Sequence, residues 1–214
     1  EKTMHEKDAG LWEFRNLAQE HCYTFLFHWA GACAAAKIGK RLNNQAIYDK
    51  AIYLRDEAIK KIEACYLPER KAYAQAIGSK HMDASTLQLI TMGYFGNDIE
   101  RANDHLKALE EDLLAKDFLF YRYKHMDDFG VPETTFLICA FWYIEALACV
   151  NRLDEAIEGF ETLTKYCNHL NLFSEDVDQA TGSQWGNFPQ AYSHVGLMNA
   201  AFRIGKKLDR PNFI

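Results

Sequence analysis

Apolar residues recur at steps of three and four along most of the chain, and this spacing predicts about seven helices. The first runs from Tyr23 to about Arg41. It carries Trp29, Cys33 and Ile38 among Ala30, Gly31, Ala32, Ala34, Ala35 and Ala36, small residues that let a neighbouring helix approach closely. The second, from about Gln45 to Cys65, is marked by Ile47, Ala51, Leu54, Ala58, Ile62 and Cys65, with Glu57, Lys60, Lys61 and Glu63 as its wet face. The pattern lapses after Pro68 until Asp83-Ala84-Ser85, where Asp83 or Ser85 can cap a helix through Leu87, Ile90 and Met92; Gly93 to Gly96 ends it. A polar-faced helix over about Asp98 to Leu114 turns Ile99, Leu106, Leu109 and Leu113 inward. Past an aromatic and acidic connector, Phe118 to Pro132, Pro132 suits the first turn of a helix through Phe136, Cys139, Phe141, Trp142 and Leu147. Asn151 to Asp154 links it to a helix carrying Ala156, Ile157, Phe160, Leu163 and Cys167. The last runs from Pro189 to about Ile204, with Ala191, Val195, Met198 and Phe202 in step. No convincing strand pair emerges, so the expected class is all-α, built from consecutive helical hairpins.

Helical hairpins stack into an open solenoid or close into a ring of inner and outer helices. Trp142 to Leu163 looks like one tetratricopeptide unit, yet no second copy follows about 34 residues away. A non-catalytic helical-repeat scaffold that binds a protein or peptide is therefore the alternative reading.

One stretch escapes the helical pattern. Leu172 to His194 reads LFSEDVDQATGSQWGNFPQAYSH, and its first half holds Glu175, Asp176, Asp178, a Thr181-Gly182 turn and Trp185 without any period. Long loops of this kind are usually functional or disordered. The aromatics and the capped helix that follows, with Pro189 near its first turn, argue for order. Acids in a loop are most often solvated or bind calcium. Calcium is disfavoured here because Gln179-Ala180 follows Asp176-Val177-Asp178 in place of further oxygen ligands. An ionised Glu175 has the chemistry of a base that activates water. Glu13 follows Leu11 and Trp12, an apolar setting in which a partly buried carboxyl keeps its proton and hands it to a leaving oxygen. By itself a Trp-Glu pair is equally an exposed acid beside an interior Trp. Arg122, between Tyr121 and Tyr123, has the donors to grip hydroxyls or a carboxylate, or the plane to stack between rings. His28 and His194 fall on expected helices and read as core histidines. Neither a Ser-His-Asp arrangement, a Gly-rich phosphate loop nor an HExxH pair is present.

Composition narrows the classes further. The 214 residues are 49% hydrophobic and 25% charged, enough for a real core. The net charge of −6, with basic residues scattered, argues against nucleic acid as the main partner. No apolar run reaches the roughly 18–20 residues of a membrane span, and EKTMHEKDAG contains no apolar signal core, so a cytoplasmic protein without membrane partners is expected. Six cysteines without a CxxC pair read as reduced, buried thiols rather than zinc ligands or a disulfide framework. The 14% aromatic content suits a core and also a sugar-binding cleft.

Five blocks together carry a family resemblance: GLWEFR at Gly10 to Arg15, DAS at Asp83 to Ser85, YRY at Tyr121 to Tyr123, FLICAFWYIEAL, and LFSEDVDQATGSQWGNFPQAYSHVGL. They occur in the order found in glycoside hydrolase family 15 (glucoamylases, glucodextranases and some trehalases) and resemble the C-terminal half of its catalytic domain over nearly all of the chain. The resemblance implies about half of an (α/α)6 toroid, residues 1–214 forming a single partial toroid domain that lacks the N-terminal β-sandwich and the first half of the ring. It implies inverting hydrolysis of α-glucosidic bonds, in α-glucan oligosaccharides or trehalose, with no metal and no organic cofactor. Carried onto this chain, the general acid is Glu13 and the general base Glu175. Inversion leaves room for a water, which sets their carboxyl groups about 6.5–9.5 Å apart. Trp12, Arg122, Trp185 and Tyr192 are the implied substrate-binding residues, with Tyr192 where relatives carry Trp or Phe. Phe14 replaces a second acid found in some glucoamylases, and Tyr23 to Trp29 departs from a Ser-containing version. The Arg-Asp pair that holds the terminal sugar belongs to the absent half. The resemblance assigns no catalytic or binding role to Glu133 or Asp83.

Half a ring exposes inner-helix surface that a full ring covers. Light scattering of the 214-residue chain is therefore expected to show self-association; a monodisperse monomer with a high melting temperature would contradict it.

Overall fold

The computed structural model describes residues 2–209 and is mostly helical. It separates into two compact units, Glu1–His81 and Met82–Ile214.

In the first unit, helix α1 (Cys22–Arg41) and helix α2 (Gln45–Glu63) form an antiparallel hairpin. Its tight link places Asn43 at φ 52°, and Asn44 caps α2 by accepting the Ile47 N–H at 3.1 Å. Ala32, Ala36 and Gly39 on α1, with Ala51 and Ala58 on α2, are buried, as the run of small residues predicts. At Gly39 an added Cβ would lie 2.8 Å from the Tyr48 backbone nitrogen, so only glycine allows this approach. Ile38 is exposed together with Phe27 and Leu42, because the small residues claim the packed face. After α2 comes a two-stranded antiparallel ribbon, β1 (Tyr66–Leu67) and β2 (Ala72–Tyr73), tied back to α2 by the Tyr73 hydroxyl, which donates to Glu63 at 2.9 Å.

The second unit opens at Asp83, whose carboxylate accepts the Ser85 N–H at 2.7 Å and caps a 3-10 turn, Ala84–Leu87. That turn leads into the short helix α3 (Gln88–Thr91), then to α4 (Ile99–Leu113), which buries Leu106, Leu109 and Leu113 as its spacing requires. Helix α5 (Leu137–Cys149) is buried along nearly all of its length. Against it pack α3, α6 (Leu153–Leu163) and α7 (Ala191–Lys207). Arg203 of α7 donates to Glu145 of α5 at 2.7 Å and to the Thr91 carbonyl at 3.0 Å, pairing a carboxylate that is almost fully buried. The Tyr143 hydroxyl of α5 donates to Glu110 of α4 at 2.7 Å, and Arg152 joins the same carboxylate at 2.6 Å.

Two expectations need correction. First, strand pairs do exist. Besides the β1–β2 ribbon, β3 (Thr135–Phe136), β4 (Asp176–Val177) and β5 (Gln184–Trp185) form an antiparallel sheet in the order β3-β4-β5. Each strand is two residues long, too short to show alternation. Because β3 takes Thr135 and Phe136, α5 starts five residues after Pro132 rather than at it. Second, Val195, Met198 and Phe202 do not face the core of this unit: they are 43%, 60% and 58% exposed. The buried face of α7 is Ser193, Gly196, Ala200, Ile204 and Gly205. A Cβ on Gly196 would meet the Phe141 Cβ at 2.9 Å, so α7 lies closer to α5 than large side chains permit. An apolar stripe reports a face that avoids water, not which neighbour covers it.

His105 of α4 is fully buried, its Nε2 hydrogen-bonded to the Thr86 carbonyl at 3.1 Å, and burial lowers its pKa to about 4. The folded protein thus holds the ring neutral while the unfolded chain protonates near 6.5. The resulting stability, about 3 kcal/mol, is present above pH 6.5 and is lost as pH falls through 4. Melting temperatures measured from pH 7 to pH 4 should fall more steeply for the wild type than for His105→Gln.

Candidate active site

Glu175 immediately precedes β4, the central strand of the sheet, and its peptide is engaged on both sides. Its N–H donates to the Asn187 carbonyl at 2.9 Å, and its carbonyl accepts the N–H of Leu137, the first residue of α5, at 3.0 Å. The β4–β5 hairpin that brings Asn187 there is closed by Asp178. Its carboxylate accepts the Ala180 N–H at 2.6 Å, its carbonyl accepts the Gly182 N–H at 2.8 Å, and its own N–H pairs with Ser183. Asp178 is thus a turn-former.

The side chain of Glu175 is equally constrained. Its Oε2 accepts two hydrogen bonds from Asn187, from the backbone N–H at 3.0 Å and from Nδ2 at 2.8 Å. Its Oε1 accepts none among the described residues. Gly186, at φ 75°, makes this seat: an added Cβ would lie 2.8 Å from Oε2 and 2.9 Å from the Glu175 Cβ.

Asp176, the next residue, is half-buried and accepts the Thr134 hydroxyl at 2.8 Å. Burial pushes its pKa up, against the Thr134 hydrogen bond and the Arg122 charge that pull it down; the neighbouring Glu175 charge adds to the rise. Arg122 is held in place by the Ala84 N–H, which its carbonyl accepts at 2.9 Å. Its guanidinium stands 5.4 Å from the Tyr123 ring centroid and 5.9 Å from that of Phe136, the ladder partner of Asp176. Tyr123 is fixed in turn by donating its hydroxyl to the Asp127 carboxylate. Among the described residues no carboxylate or carbonyl satisfies the Arg122 guanidinium, so its donors remain for another acceptor. Trp185 is the ladder partner of Asp176, not of Glu175, and is 57% exposed. Tyr192, in the first turn of α7, is 63% exposed. His194 is a structural residue, as its helical position predicts. Its Nδ1 bonds the Gln190 carbonyl at 2.7 Å, and its Nε2 accepts the Phe173 N–H at 3.4 Å.

Glu13 and Trp12 belong to the first unit. Glu13 ends a tight turn in which its N–H donates to the Gly10 carbonyl at 3.3 Å, and it holds φ at 56°, an uncommon conformation for a residue with a Cβ. Trp12 is half-buried, whereas Glu13 is exposed, which corrects the expectation of a partly buried acid. Beside the turn lies a pocket of about 360 Å³ lined by Gly10 and Leu11 and by Tyr23, Thr24, Phe27 and His28 of the segment that departs from the Ser-containing pattern.

The clasp of Asn187 on Glu175 and the Thr134–Asp176 bond escaped sequence reasoning. The glycine before Asn187 was the one available signal. Among the described residues no group of three or more His, Cys, Asp and Glu residues is placed to hold a metal ion, and no helix is long and apolar enough to cross a membrane.

Residues 1–202 match the family model of glycosyl hydrolases family 15. A trehalase of Thermoplasma acidophilum is 34% identical over 198 residues, which are 92% of this chain and 34% of that protein. A trehalase of Mycobacterium tuberculosis is 29% identical over 206 residues, 95% of this chain and 30% of that protein. The chain therefore spans about a third of the length of these curated relatives. Among solved structures, a wild-type glycosidase aligns with a TM-score of 0.77 at 15% identity, covering 94% of this chain and 56% of that one. A bacterial glucoamylase complexed with acarbose aligns with a TM-score of 0.74 at 18% identity, covering 94% and 36%. At these identities the two structures show a shared fold.

A raised folded-state pKa at Asp176 contributes stability below the unfolded value near 3.8, and that contribution is lost as pH rises through the folded value. Asp176→Asn keeps an acceptor for Thr134 without the charge. Thermal unfolding should show it more stable than the wild type at pH 7, with the advantage shrinking as pH falls toward 3.8.

Proposed function

The family match over residues 1–202 makes this chain a member of glycosyl hydrolases family 15, and from that we propose that it supplies both catalytic carboxylates of an inverting α-glucoside hydrolase. Glu175 is the general base and Glu13 the general acid. The observation that carries the reading is the Glu175 carboxylate, with one oxygen held twice by Asn187 and the other without a partner among the described residues.

In this mechanism Oε1 of Glu175 takes a proton from a water as its oxygen bonds to the anomeric carbon. The glycosidic C–O bond breaks on the opposite face, and Glu13 gives its proton to the departing oxygen. The exposed position of Glu13 allows it to meet a leaving group. Arg122, with unused donors, binds sugar hydroxyls, and Trp12, Trp185 and Tyr192 offer aromatic faces to the pyranose ring. The mechanism needs no metal or organic cofactor.

We take the chain as about half of an (α/α)6 toroid, the remainder of the ring and a β-sandwich lying outside these residues. The share of the relatives' length that it spans supports this, as do the uncovered apolar faces of α1 and α7. The same faces support self-association when the chain is alone. Trehalose ranks ahead of α-glucan oligosaccharides as substrate because the relatives quoted above are trehalases.

The test uses the intact enzyme that contains this sequence. Proton NMR of freshly hydrolysed trehalose should show one β-glucose for each α-glucose. Glu13→Gln and Glu175→Gln should each lower kcat by about a thousandfold. Full activity in both variants, or release of α-glucose alone, would refute the assignment.

A further inference from the structure

Building on the reading of Glu175 as the base, the geometry points to Asn187 as the residue that positions it, with Gly186 making the space. Asn187 holds Glu175 at three points: its carbonyl accepts the Glu175 N–H at 2.9 Å, and its N–H and Nδ2 both donate to Oε2, at 3.0 and 2.8 Å. One residue thus fixes both the peptide and the carboxylate of the base. Among the described residues nothing else bonds the carboxylate.

A purely structural role for Asn187 accounts for only part of this. The backbone pair between Glu175 and Asn187 is enough to register the end of the hairpin. The Nδ2 bond adds nothing to that register, because it ends on the carboxylate. Its effect is to choose one rotamer of a side chain with three rotatable bonds, directing Oε2 to the protein and leaving Oε1 for water. Two donors on one oxygen require a side-chain N–H on a short arm next to a backbone N–H, which Asn supplies. Asp in its place would set a second negative charge against Glu175, and Gln would carry its amide one methylene too far. Gly186 belongs to the same device, since any Cβ there would meet Oε2 at 2.8 Å and the Glu175 Cβ at 2.9 Å.

A base that wanders by about 1 Å loses up to about a hundredfold in rate. Asn187→Ala keeps the backbone bonds and removes the Nδ2 donor. In the intact enzyme kcat should fall about tenfold to a hundredfold with KM within about twofold, because substrate binding does not pass through this bond. A crystal structure of the variant should show the Glu175 carboxylate displaced or in several rotamers while the pairing of Asp176 with Trp185 survives. In the 214-residue chain, side-chain coupling constants of Glu175 should change from one rotamer to an average, a readout that needs no activity. If alanine loosens the hairpin, Asn187→Asp, of the same shape, carries the same test and should lower kcat at least as far.

Wild-type kcat in both variants, or an unmoved carboxylate in Asn187→Ala, overturns the inference. Loss of turnover in Glu175→Gln together with full turnover in Asn187→Ala would overturn it while sparing the base assignment. Full turnover in Glu175→Gln would instead remove the base assignment, and the coupling constants would still decide whether Asn187 sets the carboxylate.

Discussion

The hydrogen bond from the Leu137 N–H to the Glu175 carbonyl joins the candidate base to the most deeply buried helix of its unit. Leu137 begins α5, whose apolar residues pack against α3, α6 and α7, so Glu175 cannot shift without disturbing that core. On its other side Glu175 is paired to Asn187. A two-residue strand would be marginal in isolation. Here β4 has β3 on one edge and β5 on the other, and the Thr135 hydroxyl adds a bond to the Val177 carbonyl at 2.7 Å. The sheet is small because its task is local: it passes the rigidity of a buried helix to one carboxylate.

Helix α7 shows how a close approach decides which apolar face stays uncovered. Ser193, Gly196 and Ala200 let it settle on α5, and the Ser193 hydroxyl reaches the Ser174 carbonyl at 2.7 Å, just before Glu175. Arg203 then satisfies the buried Glu145, which would be costly to leave unpaired. Tight packing on one side leaves Val195, Met198 and Phe202 in water. Covering apolar surface contributes about 25 cal/mol per Å², so this face favours any neighbour able to bury it. In the first unit α1 repeats the arrangement, with a small-residue face packed on α2 while Phe27, Ile38 and Leu42 are exposed.

Within the site, neighbouring acids have separate duties set by what each touches. Asp178 forms the turn, Asp176 is half-buried against Thr134 under the field of Arg122, and Glu175 keeps one oxygen free. Three acids within four positions are equivalent by composition; the differences come from the hairpin and from the Phe136 to Asp176 pairing.

By itself the sequence determined the helices and the blocks that carry the family, because three-and-four spacing and motif residues are local properties. α2, α4 and α6 lie close to where their apolar steps put them, Asp83, one of the two capping candidates, caps the turn that follows it, and His194 is a satisfied helical histidine. Tertiary structure alone decided three matters. It made strands of Thr135–Phe136, Asp176–Val177 and Gln184–Trp185, since pairing partners about forty and eight residues apart leave no trace in segments this short. It chose the small-residue face of α7 for burial, since only the shape of α5 distinguishes that face from the larger apolar one. And it placed Asn187 on Glu175, a contact across twelve positions that depends on the φ of Gly186 and on the closing of the hairpin.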